Sequence, residues 1–279
     1  MSKLQNALAA ANKIADCFSG RIAFQIVDER TGESIARSPD AVMATASTIK
    51  VYCLGALLEQ AGQGKLSLDD FVELSEKNQV RGSGILKEMT LGTRITVRDA
   101  CMLMVVLSDN TATNMVIDLC GGVDAVNAHM RAHGLTASRL GGRVDFDVIR
   151  EAEDLGVSTP AEFIAYLQKV RSGKVLTEAM TKEYMNFLSR QQYVDQFPRY
   201  MPYNPYAGDL HETQDMQVYN KTGFMTGVRV DVGYVDCRGE SITYAVFSDR
   251  CADLSFAAEN EGTVAIGKIG KAVYDAVWA

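Results

Sequence analysis

Two side chains three positions apart, Ser47 and Lys50, offer the most suggestive chemistry in the chain. Apolar residues (Val51, Leu54, Ala56, Leu57, Leu58) follow at helix-compatible spacing, and positions i and i+3 of a helix share a face. The hydroxyl and the amine can therefore meet if Ser47 begins that helix. A serine hydroxyl is a poor nucleophile near neutral pH and needs an adjacent base. A lysine amine serves only where burial and neighbouring positive charge lower its pKa. A second cation is available at Lys221-Thr222-Gly223, and a second hydroxyl with an amide at Ser108-Asp109-Asn110. Helix capping is the plain alternative for both serines.

In this order, Ser47-x-x-Lys50, Ser108-Asp109-Asn110 and Lys221-Thr222-Gly223 resemble the motif set of the penicillin-recognising serine enzymes, most closely the class A serine β-lactamases. A Ser-x-x-Lys alone is weak, since roughly one arises by chance in a chain this long, whereas three motifs in order are strong. The similarity continues through Leu107-Ser-Asp-Asn-Thr-Ala-Thr-Asn114, Gly121-Gly-Val-Asp-Ala-Val-Asn127 and Val228-Arg-Val-Asp-Val-Gly233, over most of residues 20 to 250. The resemblance implies Ser47 as nucleophile and Lys50 as the base for its acylation. It further implies that Ser108 relays a proton to the leaving nitrogen and that Asn110 hydrogen-bonds a substrate acylamide. Lys221, Thr222 and Gly223 would form the strand motif that holds a substrate carboxylate and tunes Ser108. The backbone N–H groups of Ser47 and Phe224 would make the oxyanion hole, a large contribution to acyl transfer. Arg229 could add charge for a carboxylate; a solvated strand arginine is the alternative. No metal or organic cofactor is implied, and the expected partner is a small-molecule amide or ester substrate.

The main departure from the family lies in residues 139 to 158. Class A enzymes carry there a glutamate and, four residues later, an asparagine that position the deacylating water. Here no Glu-x-x-x-Asn is present. Counting from Arg143 puts Asp145 at the glutamate position, with a shorter reach, and Ile149 at the asparagine position. Asp147 and Glu151 are further candidates for the base, and a solvated acidic loop is the alternative. Three readings follow: a β-lactam-cleaving serine acyl-hydrolase, a cytosolic amidase, esterase or acyl-transfer enzyme on the same scaffold, or a penicillin-binding sensor that stays acylated.

Histidine chemistry is poorly supported. His129 and His133 are i and i+4 on a helix, a spacing that can bind zinc, but no third ligand suggests itself and solvated helix residues are expected. His211 lies in a turn-rich loop, so a Ser-His-Asp triad finds no footing. No Cys-x-x-Cys occurs, and the six irregularly spaced cysteines suit buried reduced thiols. Some relatives in the family link the helix after the serine to the helix before Ser-Asp-Asn. Cys101 falls at the matching place and Cys53 one residue early, so a Cys53–Cys101 bridge stays open.

The positioning elements follow from pattern and length. At 279 residues and 47% hydrophobic, the chain can bury a large core. No apolar run approaches the roughly 18 residues that cross a membrane. The net charge of −7 without a basic patch argues against nucleic acid. Residues 1 to 11 are too polar for a signal sequence, so a cytoplasmic location is expected as given, or a periplasmic or secreted one if a leader precedes it. Helical period marks residues 2 to 18. Alternation marks strands at Arg21 to Asp28 and near Ser34 to Arg37, then helical character from Pro39 to about 190. Thr96 and Thr159 read as helix N-caps, the latter with Pro160 and Glu162. Strand character returns at 217–221, 228–236 and 241–248, with a hairpin at Cys237-Arg238-Gly239 and a closing helix over 258–278. The proline- and tyrosine-rich stretch 193–213 could wall a pocket or pack as a surface loop. The expected class is α/β of the α+β type, β-lactamase-like. An antiparallel five-stranded sheet flanked by terminal helices (residues 1–40 and 191–279) would carry an inserted all-α lobe (41–190), with a monomer expected and the site between the two.

Overall fold

The alternation seen in the sequence sorts side chains onto the two faces of one sheet. The computed structural model describes residues 3–279; Met1 and Ser2, the latter the first residue of the expected helix, lie outside the described residues. Helix α1 (Gln5–Asp16) leads into β1 (Arg21–Asp28) and β2 (Ser34–Arg37). Along β1, Ile22, Phe24 and Ile26 point into one core, and Ala23 and Val27 into another. This is the period of two that a strand requires.

The middle of the chain runs through β3 (Met43–Ala44), a 3₁₀ turn (Ala46–Ile49), α2 (Lys50–Gly62), β4 (Phe71–Glu73), β5 (Arg94–Thr96), α3 (Val97–Val106), α4 (Asn110–Leu119) and α5 (Val123–Ala132). It continues with β6 (Arg139–Leu140), α6 (Ala152–Leu155), β7 (Gly156–Ser158), α7 (Pro160–Arg171) and α8 (Glu178–Ser189). The chain closes with β8 (Met216–Met225), β9 (Val228–Cys237), β10 (Glu240–Asp249) and α9 (Glu261–Val277). The main sheet has the order β2-β1-β10-β9-β8 with every neighbour antiparallel, so β8 is an edge strand. At the β9–β10 hairpin, Arg238 (φ 51°) and Gly239 (φ 80°) are both left-handed, as a two-residue type I′ turn requires.

Helix starts follow their caps. Thr96 accepts from the Asp99 N–H and Asp99 answers in a reciprocal box. Thr159 accepts from the Glu162 N–H, with Pro160 in the first turn of α7. Glu162 does not close the expected box. Its carboxylate instead accepts from the N–H groups of Thr136 (2.7 Å) and Ala137 (2.8 Å) and from the Ser138 hydroxyl (2.5 Å), fixing the chain after α5.

One expectation needs correction, and the open cysteine pairing is settled as reduced thiols. The 41–190 segment is not all-α: β4 pairs with β5, and β3, β7 and β6 form a small three-stranded sheet. Strands of two or three residues are too short to show a period. Cys53 and Cys101 are free and buried, and burial pushes both thiols up to about 12; Cys17 is exposed, the other five cysteines buried. No helix among the described residues is long and apolar enough to cross a membrane.

One core joins the helices of the middle segment to one face of the sheet, and the second joins α1 and α9 to the other. The seam of the first is aromatic: Phe163 of α7 lies 4.6 Å from Tyr52 of α2 and 5.6 Å from Phe247 of β10, centroid to centroid. Phe247 is fully buried. Replacing a buried phenylalanine by alanine removes its transfer free energy and leaves a cavity. Phe247→Ala is therefore expected to lower unfolding stability by about 3–5 kcal/mol in urea denaturation. A loss below about 1 kcal/mol would contradict close packing at this seam.

Candidate active site

Ser47 sits on the 3₁₀ turn that precedes α2, not on the helix itself. The turn is entered through β3, where Thr45 N–H and Oγ1 both bond the Gly156 carbonyl of β7 (3.0 and 3.1 Å) and the Thr48 hydroxyl bonds the Thr45 carbonyl (2.7 Å). Between those anchors Ala46 takes a left-handed φ of 44°, a conformation that costs energy in a residue with a Cβ and holds only when its surroundings fix it. Ser47 is half-buried and opens into a cavity of about 950 Å³.

Lys50 begins α2 and is fully buried. Its three ammonium hydrogens are used within 108–110: Nζ donates to the Ser108 carbonyl (2.7 Å), the Ser108 hydroxyl (3.1 Å) and Asn110 Oδ1 (2.9 Å). Ser108 can offer both oxygens because it, too, is left-handed, with φ 54°. Burial lowers the Lys50 pKa to about 7, against the opposing charge of Asp109. Lys221 on β8 is also fully buried, donates to the Thr222 carbonyl (2.8 Å), and is pushed well below the usual lysine range by burial and then by Lys50. Burial is thus the main cause for both lysines, and a neighbouring cation contributes only at Lys221. The Thr222 hydroxyl oxygen is buried without a hydrogen-bond partner.

The edge strand reaches Ser47 because of Gly223. A Cβ there would lie 2.8 Å from the Thr45 carbonyl oxygen and 3.1 Å from the Ser47 nitrogen. Glycine alone allows β8 to pass this close, bringing Phe224 beside the serine turn. Ser47, Ser108, Asn110 and Phe224 all line the cavity, with the two buried lysines behind them.

Other predicted residues are placed differently. Arg229 is buried, not solvated, and does not line the cavity. Its guanidinium donates to the carbonyls of Met225 (2.7 Å), Val228 (2.7 Å) and Ser255 (2.6 Å) and packs 4.9 Å from the Phe256 ring. Asp145 is exposed and outside the cavity lining, accepting from the Asp147 N–H at 2.9 Å. The cause lies one residue earlier. Asn114 of α4 holds Val144 by both backbone groups (2.9 and 3.0 Å) and buries it, which turns Asp145 outward. Asp147 pairs with Arg81 at 2.5 Å, both exposed. Of the three acidic candidates in this loop only Glu151 borders the cavity.

Several lining or positioning residues had no signal of their own in the sequence. Asp109, fully buried, accepts from the N–H groups of Ile85 (2.7 Å), Leu86 (2.9 Å) and Ala112 (2.9 Å), capping α4 and drawing a loop over the site. Gly84 in that loop is left-handed, and a Cβ there would meet Asp109 Oδ2 at 2.3 Å. Ser83 and Phe146 then line the cavity. Tyr193 and Asp195 form a further wall, as the 193–213 stretch suggested; the Tyr193 ring lies 6.0 Å from that of Phe224.

A buried amine with a pKa near 7, bonded to one serine hydroxyl behind a cavity that a second serine lines, can perform acyl transfer. With the neutral Lys50 amine as the base, the rate of acylation of Ser47 would rise with pH through about 7 and level off above it. Lys50→Ala should remove this limb and slow acylation by about 10²–10⁴-fold. A pH-independent rate between 5 and 9 in the intact protein, measured by stopped flow, would contradict Lys50 as the base.

The family model described as "Beta-lactamase enzyme family" matches residues 3–277. Beta-lactamase CARB-3 of Pseudomonas aeruginosa is 29% identical over 193 residues, covering 68% of this chain and 66% of the relative. Beta-lactamase L2 of Stenotrophomonas maltophilia is 28% identical over 186 residues, covering 65% of this chain and 61% of the relative. The matches thus span about two thirds, or less, of these relatives' length. A crystal structure of a beta-lactamase from Sphaerobacter thermophilus DSM 20745 superposes with a TM-score of 0.85 at 28% identity, covering 98% of this chain and 97% of that one.

Proposed function

The chain belongs to the beta-lactamase enzyme family, and from that premise we propose that it is a class A-type serine hydrolase that opens the β-lactam amide through an acyl-Ser47 intermediate. The observation that carries this reading is the meeting of Ser47, Ser108 and Asn110 in one cavity backed by Lys50, whose pKa is lowered to about 7. Neutral Lys50 takes the proton of Ser47 as its Oγ bonds the lactam carbonyl carbon. The N–H groups of Ser47 and Phe224 hold the oxyanion that forms. Ser108, whose hydroxyl is 3.1 Å from Lys50 Nζ, hands a proton to the lactam nitrogen as the C–N bond breaks. Lys221 and the unpartnered Thr222 hydroxyl supply donors for a substrate carboxylate. Arg229, tied to three backbone carbonyls, adds a positive field behind Phe224 without reaching the cavity. Water then cleaves the acyl-serine ester, and Glu151, the one of the three loop candidates that borders the cavity, is assigned here as its base.

Two tests separate these steps. Ser47→Ala should gain no adduct in intact-mass spectrometry after exposure to a penicillin; an adduct forming at the unaltered rate would sink the nucleophile assignment.

Turnover is a separate matter, because no glutamate–asparagine pair holds the water and Ile149 stands where an amide would. Positioning errors of about 1 Å can cost roughly 10²-fold. Stopped flow with a chromogenic cephalosporin should therefore show a burst followed by a slow steady state. Glu151→Gln should slow deacylation further and leave the burst, whereas Asp145→Asn should change neither. Deacylation that depends on Asp145 and not on Glu151 would overturn the assignment of the base.

A further inference from the structure

Away from the cavity, Glu59 of α2 and His129 and His133 of α5 bring three ligand atoms within 4.8 Å of one another. The two histidines lie one helical turn apart, and the sequence offers no third ligand near them; the fold supplies it from 70 residues upstream of His129. We propose that this cluster is a binding site for a transition-metal ion of the Zn²⁺ class, held by two imidazoles and one carboxylate.

The donor set fits, as does the spacing of the His133–Glu59 pair, while His129 and Glu59 would have to part slightly to admit the ion. Imidazole and carboxylate together suit Zn²⁺ and its neighbours, not Mg²⁺ or Ca²⁺, which prefer all-oxygen shells. Ligand atoms about 2.0–2.1 Å from a tetrahedral ion lie about 3.3 Å apart. His133 Nε2 is 3.4 Å from Glu59 Oε1. That nitrogen is buried and makes no hydrogen bond, so it is a donor atom with nothing yet to bind. His129 Nδ1 is 2.6 Å from Glu59 Oε2, close enough that a proton lies between them. On binding, the ion takes that proton's place and the proton moves to Nε2. There Tyr166 OH, 2.8 Å away, changes from donor to acceptor and becomes the outer partner a metal-bound imidazole needs.

The surroundings leave the site available. Glu59 is 30% exposed and His133 15%, which opens a path for the ion and for waters to complete its shell. Among the described residues no lysine or arginine pairs with Glu59. Lys169, the cation bonded nearest, is spent on the His133 carbonyl at 2.6 Å. Gly55, one turn before Glu59, clears the lane for the outer partner, since a Cβ there would lie 1.7 Å from Tyr166 OH. Glu59 is nine residues along α2 from Lys50, about 13.5 Å of helical rise, so the ion would clamp α2 to α5 without touching the reacting atoms.

Titrating metal-free protein with Zn²⁺ by calorimetry tests the site, with Mg²⁺ in a parallel titration. One Zn²⁺ per chain at micromolar or tighter affinity is expected, with no Mg²⁺ uptake and a higher thermal midpoint with Zn²⁺ present. His133→Gln and Glu59→Gln should each weaken Zn²⁺ binding by at least about tenfold and abolish the thermal shift. Both should still acylate Ser47 with a penicillin, showing that they are folded. Should Glu59→Gln fail to fold, His133→Gln decides alone, because it removes a nitrogen that makes no hydrogen bond. No Zn²⁺ uptake below millimolar concentration, or unchanged affinity in His133→Gln, overturns the proposal.

Discussion

Two lysines without solvent are the constraint on which the site depends. An ammonium taken out of water loses several kcal/mol of hydration unless acceptors replace it. Lys50 and Lys221 are both fully buried. For Lys50 the replacement is a cage of three acceptors drawn from Ser108 and Asn110, and building it requires Ser108 to adopt a strained left-handed backbone. Asp109 offsets part of the charge. It does so while its own carboxylate is committed to the N–H groups of α4 and of the loop at 85–86. One acid therefore tunes the base, starts a helix and closes one side of the cavity.

A second constraint is the passage of β8 past the serine turn. An edge strand exposes unpaired backbone groups, and here that edge runs along the turn holding Ser47, with Gly223 setting the separation. The segment after α8 stitches the two cores together at the same place. Gln191 bridges the Val105 and Asn220 carbonyls (3.0 and 3.3 Å), and Phe197 N–H bonds Asp231 at 2.9 Å. Asp231 is buried on β9, and desolvation pushes its pKa up to about 8. The sheet face opposite the cavity thus holds a further buried polar network, one that fixes the strand neighbouring Lys221.

Much of this was legible in the sequence because it follows from local period or from fixed spacing. The three motifs, the long strands and the Thr96 and Thr159 caps are of that kind. What failed depended on direction or on distant partners. Counting along the chain places Asp145 correctly in the loop but cannot show which way its side chain turns, which Asn114 decides from another helix. Arg229 is buried by α9 and the 255–256 segment, brought to it only by the fold. The same blindness hid Glu59 behind a histidine pair that reads as solvated, although His129 is buried.

The two proposed half-reactions would be physically separate because of where their groups sit. The acylating groups stand on buried elements, where desolvation can shift a pKa by several units and packing fixes geometry. The loop from 145 to 154 carries exposed acids, with Asp145 and Asp154 bound to backbone N–H groups of the loop itself. An exposed carboxylate keeps its hydration and is held less firmly, so it is a poorer device for fixing a water molecule against an ester. Replacing loop residues 145–151 need not disturb the Lys50 cage, because the loop is anchored one residue earlier by Asn114 and at Arg143, which pairs with Asp118. In the proposed reaction deacylation would thus be the step this scaffold leaves free to vary, while acylation would be fixed by the same burial that forms the two cores.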